Sequence, residues 1–189
     1  MKNYYTKMKL PEPLVPALQA LSLLKGQTAL VTGANSGIGR AIAVSLGRAG
    51  ANVVVNYVVK PEEAEAVVVE IQGGGGHAVA IRADVGDEAQ VVAMFAEAVK
   101  AFGTVDILVS NAGMERNAPF HEMTTAQWDA VMNVNLRGAF LCAREAVREF
   151  LRRGVRPEVS VAAGKIIFIS SVHELIPWAG HVSYAASKG

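Results

Sequence analysis

Thr28-Ala29-Leu30-Val31-Thr32-Gly33-Ala34-Asn35-Ser36-Gly37-Ile38-Gly39 is the stretch on which the fold turns. Thr28 to Val31 is a short apolar run, the pattern of a buried strand. Beyond the glycines, Ile38, Ile42 and Leu46 recur at helical spacing, and Gly50 closes that helix. The order is strand, glycine-rich turn, helix. Glycine lets the backbone turn sharply and lie close to a ligand. The unpaired N–H groups at a helix start suit a pyrophosphate. Gly33, Asn35, Ser36, Gly37, Ile38 and Gly39 are therefore candidate dinucleotide contacts. A tight βα turn without a ligand is the plainer alternative, and the strand before and helix after weigh against it.

Outward from this stretch the same alternation repeats. Asn52 to Tyr57 is a second strand, and Pro61 opens a helix with Glu62 and Glu63 in its first turn. Ala64, Val67, Val68 and Ile71 form its apolar face, and Gly73 to Gly76 end it as a flexible connection rather than a phosphate loop. Ala78 to Ile81 is a third strand. Asp84-Val85 follows, then Asp87 as a helix N-cap and an apolar stripe of Val91, Phe95, Ala98 and Phe102. Asp84 stands at a strand's carboxyl end, where it either meets an adenine or caps a turn. Val105 to Val109 is a fourth strand leading into Asn111-Ala112-Gly113, where small residues admit a ring and Asn111 can tie neighbouring strands. A helix from Thr124 carries Asn133 and Asn135. Leu136, Phe140, Ala143, Val147 and Leu151 continue it as an apolar stripe, the pattern of a core-facing surface. Asparagine is unfavourable inside a helix, so Asn135 invites a special role, such as holding a water or bending the helix, against the alternative of a tolerated polar residue. Arg152 to Gly164 reads as a connection or insertion, and Ile166 to Ile169 as a fifth strand ending in Ser170-Ser171.

Strands alternating with helices imply parallel pairing through crossovers, and so an α/β fold: a Rossmann-like doubly wound sheet with helices on both faces and strand order 3-2-1-4-5. The chain has 189 residues, 51% hydrophobic and 19% charged, with net charge +1. That suits one domain with a proper core and gives no bulk charge for nucleic acid or a membrane surface. One cysteine, Cys142, cannot form an internal disulfide, which fits a reducing, cytoplasmic setting. No apolar run approaches the roughly 18 residues of a membrane span. Residues 1–24 read as an arm ahead of the domain, which occupies 25–189.

Near the end of the chain, Tyr184 and Lys188 stand at i, i+4, which on a helix puts phenol and ammonium on one face. A phenol is a poor base near neutrality, and a nearby cation favours its ionised form. Ser171, thirteen positions earlier, offers a hydroxyl to an oxygen that exchanges a proton with Tyr184. An exposed helix start with an ordinary Tyr and Lys is the plain alternative.

With these residues in view, the chain resembles the short-chain dehydrogenase/reductase family from about Leu24 to its last residue. Thr32 to Gly39, Asp84-Val85, Asn111-Ala112-Gly113, and Ser171 with Tyr184 and Lys188 stand in that family's order. The resemblance implies hydride transfer between a secondary alcohol and NAD or NADP. It implies a catalytic set of Asn135, Ser171, Tyr184 and Lys188, with Asn133 a lesser candidate for the first place. Tyr184 would be the base for oxidation, Ser171 would hold the substrate oxygen, and Lys188 would lower the phenol pKa and bind the nicotinamide ribose. Asn135 would hold a water in a proton relay. Cofactor contacts would fall at the glycine turn, Asn56, Asp84, Val85, Asn111, Ala112, Gly113, Tyr184 and Lys188, and no metal is implied. The end of the second strand, Asn56-Tyr57-Val58-Val59, offers neither an acid for a ribose 2′-hydroxyl nor a base for a 2′-phosphate. Lys60 and Arg40 are the nearest cations in sequence, and the choice of dinucleotide stays open.

Asn111 to Glu115, His121-Glu122-Met123 and Ser170 to Trp178 resemble the glucose 1-dehydrogenase branch more narrowly. That implies oxidation of β-D-glucose to gluconolactone, with Ser171, His173 and Tyr184 at the substrate; a capping or packed role is the alternative for His173. A 3-oxoacyl or other carbonyl reductase is the second reading within the family. The family continues well beyond Lys188 and is usually homo-oligomeric, partly through segments beyond that point. On that comparison the domain is incomplete at its C-terminus, strand five is an open edge, and a non-catalytic fragment is a third reading.

Overall fold

The computed structural model describes residues 22–189, so the arm expected over 1–24 lies outside the described residues except for its last three. The last of these, Leu24, already belongs to the body: its N–H donates to Ala49 O at 2.9 Å and its side chain packs on the core.

Five strands, β1 (Thr28–Val31), β2 (Asn52–Tyr57), β3 (His77–Arg82), β4 (Ile107–Ser110) and β5 (Lys165–Phe168), form one sheet in the order β3-β2-β1-β4-β5. All four pairings are parallel. The helices are α1 (Gly37–Arg48), α2 (Pro61–Gly73), α3 (Glu88–Phe102), α4 (Thr125–Met132), α5 (Gly138–Arg153) and α6 (Val182–Lys188). This is the doubly wound topology expected from the alternation of strands and helices. β1 and β4 are buried along their whole length, which explains their unbroken apolar sequences.

One face of the sheet packs α1 and α2 through Ala43, Val44, Val67, Val68 and Ile71. The other packs α3 and α5 through Val91, Met94, Phe95, Leu141, Cys142 and Phe150. Helix starts follow local chemistry. The Asp87 carboxylate accepts from Ala89 N and Gln90 N, and Thr124 and Gln127 form a reciprocal capping box before α4.

One expectation from periodicity is overturned on α5. Leu136, Phe140, Val147 and Leu151 are 50, 58, 42 and 78% exposed, and the face turned inward is Leu141, Cys142, Ala146 and Phe150. Between α4 and α5, Asn133–Arg137 forms a π-helical turn. Phe140, Val147 and Leu151 lie within α5 itself beside a second apolar row at the same spacing, and periodicity alone does not say which of the two rows meets the sheet.

The segment after α5, which reads in sequence as a mere connection, locks the amino-terminal end of the sheet. The Asp106 carboxylate, 3% exposed as a residue, accepts from Thr28 N at 2.8 Å, pairs with Arg156 at 2.8 Å and with Arg153 at 3.0 Å. Gly164 passes directly over the Phe150 ring, where an added Cβ would stand within 2.4 Å of ring carbons. At the far side of the sheet β5 is an edge among the described residues, with Ile167 46% and Phe168 58% exposed. Replacing Asp106 by Ala leaves the 9%-exposed Arg153 side chain without its carboxylate. Chemical denaturation is expected to show a loss of about 3–5 kcal/mol.

Candidate active site

The turn between β1 and α1 is shaped by close approach. An added Cβ on Gly39 would lie 2.3 Å from Gly33 O and 2.5 Å from Asn111 Nδ2, so no other residue fits. Gly33 and Gly37 hold φ of +60° and +54°, and the space beside Gly37 is open. The α1 start lacks the side-chain cap that α3 and α4 have, since Ser36 makes none, and no acid stands in its first turn. Ser36, Gly37 and Ile38 are exposed above it. A free helix start, an open glycine and no competing carboxylate fit the pyrophosphate of a dinucleotide.

Thr32 and Asn111 hold this turn against β4. Thr32 Oγ1 accepts from Asn111 N at 2.9 Å and Ala112 N at 3.0 Å, and Asn111 Nδ2 donates to Thr32 O and Gly33 O at 2.9 and 3.1 Å. The side chain of Asn111 thus ties the two strands, leaving the backbone of Ala112 and Gly113 as the surface a ring would meet.

Asn56, expected among the cofactor contacts, has its side chain engaged within the protein. It is 1% exposed; its Oδ1 accepts from Gly33 N at 3.1 Å and its Nδ2 donates to Ala83 O at 3.0 Å. It braces the glycine turn from below. Val85 is similarly buried, against Gly138, so its side chain belongs to the core. Asp84 Oδ1 accepts from Gly86 N at 2.9 Å, which makes it a turn cap at the carboxyl end of β3.

Asn135 lies in the π-helical turn. Its Oδ1 accepts from Met114 N at 2.8 Å, and its Nδ2 donates to Met114 O at 3.0 Å and Ser187 Oγ at 2.9 Å. One amide therefore clips the loop after β4 to α6. Both its N–H bonds are engaged within the protein, so its side chain has no donor left for a water. Asn133 pairs with Arg137 instead, at 3.1 Å.

α6 brings Tyr184 and Lys188 to the same end of the sheet. The Lys188 ammonium lies 5.7 Å from the Tyr184 ring centroid and donates to Ile169 O at 2.8 Å. Burial pushes its pKa below the ordinary lysine value. A Cβ on Gly113 would lie 3.7 Å from Lys188 Nζ and 3.5 Å from Asn135 Oδ1, so the three meet at one spot. A cavity of about 320 Å³ opens here, lined by Ala112, Asn135, Phe168, Ile169, Ser187 and Lys188 among others.

Ser171 caps a single 3₁₀ turn, Val172–Glu174, its Oγ accepting from His173 N at 3.2 Å. His173 is buried, its Nδ1 at 3.0 Å from Ile176 O. Since a carbonyl only accepts, Nδ1 carries the proton. The ring stands edge-on to Tyr184 at 5.8 Å and to Trp178 at 4.6 Å, so it links the Ser171 turn to the tyrosine as a packed residue. A further polar layer lies beside His173. His181 lies 5.3 Å from His173, and its Nε2 faces Asn117 Nδ2 at 3.0 Å, while Asn117 Nδ2 donates to Glu115 Oε2 at 3.0 Å. These residues are polar, far apart in sequence and carry no motif, so only the folded loop after β4 could reveal the grouping. Among the described residues no group of three or more His, Cys, Asp or Glu side chains is placed to hold a metal ion.

A five-stranded 3-2-1-4-5 sheet, with an open glycine turn and a Tyr-Lys pair at the same edge, defines a nucleotide-binding class of α/β protein. Residues 27–189 match the sequence profile of the short chain dehydrogenase family, and the chain belongs to that family. Over 165 residues it is 44% identical to 3beta-hydroxysteroid dehydrogenase 1 of Eggerthella lenta, a match covering 87% of this chain and 60% of that relative. A solved dehydrogenase/reductase from Sinorhizobium meliloti 1021 superposes with a TM-score of 0.80 at 43% identity, covering 90% of this chain and 64% of its own. A second structure from the same organism, assigned as a short-chain alcohol dehydrogenase, gives a TM-score of 0.81 at 36% identity, covering 89% and 63%. The chain thus spans less than two thirds of the length of these relatives. Members of the family use NAD or NADP, which fits the uncapped start of α1.

Gly39→Ala drives a methyl into backbone oxygen and the Asn111 amide. The stabilisation of thermal unfolding that a saturating dinucleotide gives the parent protein is expected to vanish in this variant.

Proposed function

We propose that the protein is an NAD(P)-dependent oxidoreductase acting on a secondary alcohol, with Tyr184 as its proton-transferring residue. The observation that carries this reading is the meeting of Tyr184, Lys188, Asn135 and Gly113 at the carboxyl edge of the sheet that also presents the glycine turn. A bound dinucleotide would supply the hydride acceptor. Tyr184 takes the hydroxyl proton as the carbinol C–H bond breaks and a C=O forms. The Lys188 ammonium stabilises negative charge developing at the phenol oxygen. Ser171, at the mouth of the 3₁₀ turn, orients the substrate oxygen. Asn135 acts by holding Met114 and Ser187 in place.

For the substrate, the polar wall of Glu115, Asn117 and His181 close to His173 and Tyr184 supports a polyhydroxylated compound, with β-D-glucose going to gluconolactone. The Eggerthella lenta relative supports a second reading, a 3β-hydroxysteroid, and exposed Val172, Leu175, Ile176 and Trp178 would suit such an apolar ring system. Initial rates with both substrates decide between them. Glucose is expected to be oxidised, and steroid turnover alone would overturn the sugar assignment. In either case Tyr184→Phe is expected to lower kcat by roughly 10³-fold while dinucleotide binding persists. Equal turnover in that variant removes Tyr184 from the proton transfer, and binding without turnover of any alcohol by the parent removes the enzymatic reading.

Homo-oligomerisation, usual in the family, is supported here by the exposed stripe Leu136, Phe140, Val147 and Leu151. Light scattering is expected to give a multiple of the 19.9 kDa chain mass, and a monomer at micromolar concentration would exclude it.

A further inference from the structure

We propose that Arg82, at the end of β3, is the residue that receives the 2′-phosphate of NADP. This rests on the dinucleotide reading above and deepens it. A 2′-phosphate is a compact dianion, and at the crevice of such a sheet it is met by a guanidinium or ammonium near the end of the second strand. That strand end has no cation of its own: Val58 and Val59 are 41 and 64% exposed and apolar.

The two cations nearest in sequence are already matched. Lys60 Nζ lies 2.6 Å from Glu63 Oε1, and Arg40 Nη2 lies 2.8 Å from Glu70 Oε2. Glu63 also draws Asn35 Nδ2 to its second oxygen at 3.4 Å, so its carboxylate stays beside Lys60 across the glycine turn. Glu70 also reaches Arg48 through its other oxygen at 3.7 Å, so Lys60 and Arg40 each already hold a carboxylate partner.

Arg82 differs. β2 and β3 run parallel with Tyr57 opposite Arg82, so the arginine comes beside Val58 although 24 residues separate them in sequence. Its Nε donates to Val58 O at 3.0 Å. That single bond fixes the guanidinium over the strand end while leaving its two NH₂ groups without a protein partner among the described residues. Among the described residues no carboxylate pairs with it, in contrast to Lys60 and Arg40. The planar fork of arginine, tethered through Nε and with both NH₂ groups available, has the donor geometry for bidentate phosphate contact. β3 thus supplies from a neighbouring strand the positive charge that position 58 lacks.

Isothermal titration of the purified protein separates the possibilities, using NADP, NAD, and the pair 2′,5′-ADP and AMP, which differ chiefly by the 2′-phosphate. The parent is expected to bind 2′,5′-ADP more tightly than AMP. Arg82→Ala is expected to weaken NADP and 2′,5′-ADP by tenfold or more while NAD and AMP change by less than about threefold; Arg82→Lys, which keeps charge without the fork, is expected to fall between. Equal losses for all four ligands in a variant with unchanged far-UV circular dichroism would mark a structural role and overturn the proposal. No loss for NADP would overturn it too. Tight NAD binding with no measurable NADP binding by the parent would sink the Arg82 assignment and leave the dinucleotide reading standing, whereas failure of all four ligands to bind would sink both.

Discussion

The contact on which the rest depends is the seam between β1 and β4. There Thr32 and Asn111 exchange four hydrogen bonds with the adjoining backbone, and Gly39 fits beneath them with no room for a Cβ. β1 stands between β2 and β4, so this is where strand order reverses and the sheet opens a crevice. Buried backbone polar groups must be paired, and at the ends of two diverging strands they cannot pair with each other. Side chains of Thr32, Asn56 and Asn111 do so instead. They close the sheet structurally while leaving the start of α1 without a side-chain cap.

The catalytic end is assembled on that seam by a second amide, Asn135. Its bonds to Met114 and Ser187 join the loop after β4 to the short helix bearing Tyr184 and Lys188. A seven-residue helix has little stability of its own. Its position is set from outside, by Asn135, by Ile169 O accepting from Lys188, and by the Ser170 hydroxyl donating to Lys188 O. The depressed pKa of Lys188 follows from the same packing, since burial disfavours its charged form.

Much of this was legible in the sequence because it is local. A strand followed by glycines and a helix names its own geometry, and alternation of such units fixes a parallel sheet and its order. The Tyr-Lys spacing, the cap at Asp87 and proline at the start of α2 are read within a few residues. What stayed hidden depends on neighbours remote in sequence. Asn56 reads in sequence as a cofactor contact, and only the fold shows its amide bonded to the Gly33 N–H and the Ala83 carbonyl. Arg82 becomes relevant only through the register of β2 and β3. The Asp106 cluster binds a strand to a segment some fifty residues later, and no motif announces it.

The π-helical turn at Asn133–Arg137 has a bearing on how this chain tolerates insertions and deletions. Each residue of a helix advances the side-chain direction by about 100°. A π turn takes up one residue more than an α turn while the helical segments on either side keep their faces. Loss of one residue there would let the turn close to α with Leu141, Cys142, Ala146 and Phe150 still against the sheet. The same loss in the middle of α5 would turn every later side chain, bringing Val147 and Leu151 into the places of Ala146 and Phe150. The wide turn is thus the one point along this helical run where the count of residues can change without changing which side faces the core.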